Sequence, residues 1–124
     1  MQSRGAAIYR KVHLESAPPQ RLLDELYRRL LADIDEARGL IVRRDLKGKA
    51  RAIDHALRIV FELQAALDHR CAPELTANLA ALYDYVAATL ASSSAHLDPT
   101  PLEGVAKLIG DLREAFDTAS AQVR

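Results

Sequence analysis

Cysteine is the first scarcity in this 124-residue chain: a lone Cys71 excludes an internal disulfide framework and fits a reducing compartment. Glycines number only five, with no phosphate-cradling loop among them. Net charge is missing as well. Lys+Arg and Asp+Glu both number 17, and that balance offers no electrostatic handle for nucleic acid or an anionic membrane. No apolar run approaches the ~20 residues needed to span a bilayer, so no membrane insertion is expected. The opening MQSRGAAIYRKVHLES lacks the continuous apolar core of a signal peptide. Strand-like alternation and internal repeats are also absent. What remains is a soluble, cytosolic chain, long enough for one domain with a real core (1–124) and too short for two.

Helical period fills most of that length. The most apolar stretch is IDHALRIVFELQAAL, residues 53–67. At about 100° per residue, Ile59, Leu63, Ala56, Leu67, Val60, Ile53, Leu57 and Phe61 share an arc of roughly 200°. An ordinary surface helix carries a stripe somewhat over 100° wide. Such a helix either sits inside a bundle or keeps one face for a partner.

Residues 1–15 show no clear period and read as a mobile or docking arm. Ile8, Tyr9, Val12 and Leu14 make it less polar than an unstructured tail. Ser16-Ala17-Pro18-Pro19 breaks the chain, and helices are expected over about 19–43, 45–68, 73–91 and 101–119. The first has its seam at Leu23, Leu26, Leu30, Ile34, Ala37 and Ile41, widened by Tyr27 and Leu31. Asp45 is the expected N-cap of the second. The third, rich in alanine, has a seam at Leu75, Leu79, Tyr83, Val86 and Leu90. Beside that seam runs a mixed row of Asn78, Leu82, Tyr85 and Thr89. Residues 92–96, SSSAH, read as a polar loop. Thr100-Pro101-Leu102-Glu103 reads as a capping box opening the fourth helix. That helix has its seam at Leu102, Val105, Ile109, Leu112, Phe116 and Ala119. Short connections between four helices imply an all-α, antiparallel four-helix bundle, with an N-terminal arm that could add a short helix.

Catalytic chemistry finds no foothold. His13, His55, His69 and His96 are scattered, without a metal spacing. His69-x-Cys71 offers two possible ligands and no second pair, and Cys71 has no base beside it. No catalytic residue, metal site or cofactor is expected. One alternative of another class is a signalling or adaptor bundle, for example a histidine phosphotransfer domain using His55. Such domains typically carry a Lys and a Gly shortly after the histidine, whereas His55 is followed by Ala56-Leu57-Arg58-Ile59-Val60.

The motifs taken together resemble the FliS family of flagellar secretion chaperones. Tyr9-x-x-Val12 with Glu15-Ser16-Ala17-Pro18-Pro19 is similar to that family's approach to its first helix. Leu22-Leu23-x-x-Leu26-Tyr27 matches its Leu-and-Leu-Tyr signature, and Ala56, Ile59, Glu62-Leu63 and Leu67-Asp68 its second helix. Asn78-Leu79-x-x-Leu82-Tyr83-Asp84-Tyr85 is the most specific string. Leu112-Arg113-Glu114-Ala115-Phe116 resembles its C-terminal Leu-Arg-x-Ala-Trp, with Phe for Trp. Departures fall at Asp24 and Glu25, where many members are apolar, and at Arg28 and Arg29, where they carry an acidic-Gly pair.

The resemblance implies a non-enzymatic cytosolic chaperone. It would bind the C-terminal helical region of flagellin, prevent early polymerisation and help present it to the flagellar type III export gate. Helix-in-groove recognition needs an exposed apolar furrow with polar borders. Ile59, Leu63, Asn78, Leu82 and Tyr85 are the expected lining, with Ile8 and Tyr9 of the arm covering it in the absence of client. Core packing is the competing reading for Leu63, Leu82 and Tyr83.

Overall fold

A computed structural model describes the backbone of residues 20–123 and the side chains of residues 21–118. Ile8, Tyr9 and the rest of the expected arm lie outside the described residues. The described chain forms four helices: α1 Gln20–Val42, α2 Leu46–Ala65, α3 Pro73–His96 and α4 Thr100–Val123. Short connections make consecutive helices antiparallel, and each packs on two neighbours in the cyclic order α1, α2, α3, α4. The α1–α2 and α3–α4 turns therefore share one end of the bundle. Of the four neighbouring pairs, the α3 and α4 backbones approach each other least closely.

The α1 seam is buried at Leu23, Leu26, Tyr27, Leu30, Ile34, Ala37 and Ile41. Leu63, Leu79, Val86, Leu102, Val105, Ile109 and Phe116 complete the layers from the other helices. Burying one such side chain stabilises the fold by about 1.5–3 kcal/mol before entropy is subtracted. One polar pair crosses this interior: the Tyr27 and Tyr83 hydroxyls lie 2.7 Å apart, joining the diagonal helices α1 and α3.

The helix ends follow specific local chemistry. Asp45 caps α2 by accepting from the Gly48 N–H at 2.9 Å. At the end of α1, Asp45 N–H reaches Leu40 C=O and Arg44 N–H reaches Ile41 C=O. This is a Schellman closure with Arg44 in the left-handed region (φ 61°), a place glycine usually takes. Holding arginine there costs about 1 kcal/mol.

Two expectations are corrected. Residues 92–96 are the last turn of α3, not a loop. Ser93 is buried there, and a second Schellman closure follows: Asp98 N–H bonds Ser93 C=O, and Leu97 N–H bonds Ser94 C=O. Packing and this closure override the weak helix preference of serine. The expected capping box at Thr100 does not close α4. Thr100 N–H donates to Asp98 Oδ1 at 3.0 Å, and Glu103 is drawn aside by Arg38 at 2.9 Å.

The residues that depart from the resembled family sit in a polar lattice on α1. Asp24 accepts from Arg113 of α4 at 2.8 Å, Glu25 pairs with Arg28, and Arg29 approaches His55 Nε2 at 3.3 Å.

Candidate functional site

Helix phase decides which expected site residues can meet a partner. On α2, His55 bonds Asp33 of α1, and Gly48 lies against Leu40, so that flank faces α1. Gln64 lies on the other flank and reaches Asp84 and the Ala80 carbonyl of α3. Stepping 100° per residue puts Ile59 on the α1 flank and Leu63 at the centre of the inward face. Both are buried, at 3% and 0% exposure. They do not line an exposed furrow with the α3 row, because Ile59 points to the opposite side of its own helix. The broad arc of α2 is used inwardly; only Phe61, 55% exposed, leaves it, with Leu57 half-buried beside it.

On α3, Ala80, Asp84 and Ala87 occupy the flank towards α2. The flank towards α4 carries Leu75, Asn78, Leu82 and Thr89, with Tyr85 turned further out. Leu75 and Leu82 are half-buried, Asn78 is exposed, and Tyr85 is 58% exposed. Thr89 donates its hydroxyl to the Tyr85 carbonyl, so the row's polar groups are partly spent within the helix. On α4, Glu103 and Arg113 reach α1, which turns the opposite flank, with half-buried Leu108 and Leu112, towards α3.

Asn78, Leu82 and Tyr85 thus share one edge with Leu75 and Leu112, seam residues left half-buried, and with Leu108, which the seam pattern passes over. A shallow concavity of about 420 Å³ lined by Ala72, Pro73, Glu74, Leu75 and Asn78 adjoins its lower end. Phe61 marks a second exposed aromatic on the other side of α3.

Three carboxyl groups of the described residues are shifted by their neighbours. The Arg28 guanidinium bonded to Glu25 holds that carboxyl below its ordinary value. Arg70 does the same for Asp68 in the α2–α3 turn. Partial burial, reinforced by nearby Asp24, pushes the Asp117 carboxyl up, and Arg113 offsets part of the rise. His55 accepts at Nε2 from Arg29 and donates from Nδ1 to Asp33, so both ring nitrogens are engaged in the α1–α2 interface. His69 is exposed and Cys71 half-buried, with the Cys71 carbonyl accepting from the Thr76 hydroxyl.

The chain resembles known proteins along nearly its whole length. A family model described as flagellar protein FliS matches residues 1–123. The chain is 31% identical over 116 residues to flagellar secretion chaperone FliSB of Pseudomonas aeruginosa, covering 90% of this chain and 92% of that protein. It is 29% identical over 121 residues to flagellar secretion chaperone FliS of Salmonella typhimurium, with 94% and 90% covered. With FliS of Escherichia coli the identity is 27% over 119 residues, covering 92% and 88%.

Proposed function

The chain belongs to the FliS family, whose members are flagellar secretion chaperones and not enzymes, and we propose that it binds the C-terminal helical region of flagellin in the cytosol. In this reading it keeps that region from polymerising early and helps deliver it to the flagellar type III export apparatus. The observation that carries the reading is the α3–α4 edge. The helix backbones there approach each other least closely, and Leu75, Leu82, Leu108 and Leu112 are left half-buried on the same edge as an exposed Tyr85.

An amphipathic client helix places i, i+3, i+4 and i+7 apolar residues into such a furrow, while Asn78 supplies a polar border. A client long enough to cross α3 also reaches Phe61, so wrapping around the bundle engages both exposed aromatics. The arm, with Ile8 and Tyr9, covers part of the surface until the client displaces it.

The test is calorimetric titration of the full chain with the C-terminal segment of flagellin from the same organism. Saturable one-to-one binding, with a negative heat-capacity change from apolar burial, supports the reading. No heat and no co-elution on a sizing column refutes it. Phosphate transfer from a receiver domain onto His55, in place of flagellin binding, would instead favour the signalling alternative.

A further inference from the structure

We propose that the α1–α2 tip is a docking surface for an anionic lipid bilayer, on which the protein rests peripherally. Residues 38–51 read RGLIVRRDLKGKAR, with six cations against one carboxylate, Asp45. Most cations elsewhere are neutralised: Arg28, Arg58, Arg70, Lys107 and Arg113 each pair with a carboxylate, as does Arg38 at the edge of the tip. Arg43, Arg44, Lys47 and Arg51 have no such partner among the described residues, and Asp45 is committed to the Gly48 N–H. Away from this end, only Arg21 and Arg29 likewise lack a carboxylate partner among the described residues, and Arg29 bonds His55.

Two of these cations sit where local physics prefers other residues. Arg44 holds a left-handed position suited to glycine. Lys47 lies in the first turn of α2, at the positive end of the helix dipole, where acidic side chains are favoured and none is present. The fold does not ask for them. Val42, the last residue of α1, and Leu46, the first of α2, stand among them, 69% and 56% exposed.

Charge chooses the occupant. The chain's own N-terminal segment carries Arg4, Arg10 and Lys11 against Glu15, and a second copy would bring the same cationic tip, so both are repelled. Nucleic acid finds no aromatic side chain for base stacking at the tip. An acidic peptide would need a groove, and the two grooves beside the tip are lined by carboxylates. One carries Asp35, Glu36 and Glu103 against Arg38 and Arg43, and the other Asp33, Glu36 and Asp45 against Arg51, so neither groove is net cationic. The turn itself, residues 42–47, carries three exposed cations against Asp45, and exposed Asp98 of the α3–α4 turn at the same end still leaves it net cationic towards a planar anionic surface. Aliphatic side chains that enter the headgroup layer beside cations on lipid phosphates are the pattern of reversible interfacial binding. Insertion plays no part, since no described helix is long and apolar enough to cross a membrane.

The experiment is co-sedimentation of the full chain with phosphatidylcholine vesicles, with and without about one-third phosphatidylglycerol. Binding is expected only to the anionic vesicles and is released by high salt. Each cation removed from the surface lowers partitioning about fivefold, so Arg43→Gln/Arg44→Gln/Lys47→Gln loses about a hundredfold. Val42→Ser/Leu46→Ser also weakens binding. Arg28→Gln/Arg58→Gln/Lys107→Gln, which removes equal charge elsewhere, leaves it within about threefold of the parent. Thermal melts and flagellin-segment titrations of all three variants stay near the parent, which separates this result from any failure of the client reading. Absence of sedimentation, equal binding to neutral vesicles, or equal loss in both charge variants overturns the proposal. Capture on immobilised polyglutamate without vesicle binding assigns the tip to an acidic protein and overturns it too.

Discussion

Tyr83 and Tyr85 stand two residues apart in the Leu-Tyr-Asp-Tyr string, and replacing each by alanine should produce opposite phenotypes. Tyr83 is fully buried, so Tyr83→Ala removes a ring from a packed core and breaks the hydroxyl contact with Tyr27. Large aromatic deletions of this kind cost about 3–5 kcal/mol. At about 4 °C per kcal/mol in a domain of this size, the melting temperature should fall by roughly 12–20 °C. Tyr85 is 58% exposed. A tyrosine side chain presents on the order of 200 Å², so about 100 Å² is open to a client, worth at most about 2.5 kcal/mol at ~25 cal/mol per Å².

Ordering losses on binding cut that figure to about 1.5 kcal/mol, which is roughly a tenfold weaker client complex for Tyr85→Ala. Its stability cost should stay within about 1 kcal/mol, because few contacts are lost and alanine is the better helix former. Paired thermal melts and calorimetric titrations with the flagellin C-terminal segment read both quantities. Unchanged affinity in Tyr85→Ala, or a melting loss equal to that of Tyr83→Ala, would refute the assignment of the α3–α4 edge.

Glycine substitutions should split by position. A Cβ at Gly104 or Gly110 meets nothing within 4 Å, so alanine there should stabilise the chain by about 0.5–1 kcal/mol in denaturant melts. At Gly48 the same atom comes within 2.8 Å of Asp45 Oδ2 and 2.9 Å of Leu40 Cδ2, disturbing the cap, so Gly48→Ala should gain nothing or lose about 1 kcal/mol. Acid titration addresses the α2–α3 turn. Because Arg70 lowers the folded pKa of Asp68 below its ordinary value, the stabilisation is complete above that ordinary value and fades as pH falls through the lower folded one. The melting difference between the parent and Asp68→Asn should therefore be present at neutral pH and shrink towards zero in strong acid. A difference that persists unchanged in strong acid would contradict that linkage.

Much of this architecture was legible without coordinates because burial in helices follows period. The α1 seam and the Asp45 cap could be read because their signals are local and unambiguous. Ile59 and Leu63 were harder. An apolar arc near 200° has no internal mark saying which flank meets a neighbour, and only the His55–Asp33 and Gln64–Asp84 contacts orient it. The serines closing α3 misled because their intrinsic preference is weak, while the packing of Ser93 and the turn at Leu97 are tertiary facts. Glu103 left its expected role because Arg38, distant in sequence, competes for it. A zero net charge concealed the cationic tip, since a sum over the chain carries no position.

The Tyr27–Tyr83 contact bears on a hazard of any leucine-rich helical bundle. Layers of leucine tolerate several axial alignments, and a leucine-rich helix from outside could substitute for one of the chain's own. Two fully buried hydroxyls are less permissive. A slip by one turn moves them about 5.4 Å apart, and an incoming leucine offers neither a donor nor an acceptor. The pair thus fixes the axial alignment of α1 against α3, which leucine layers alone leave open.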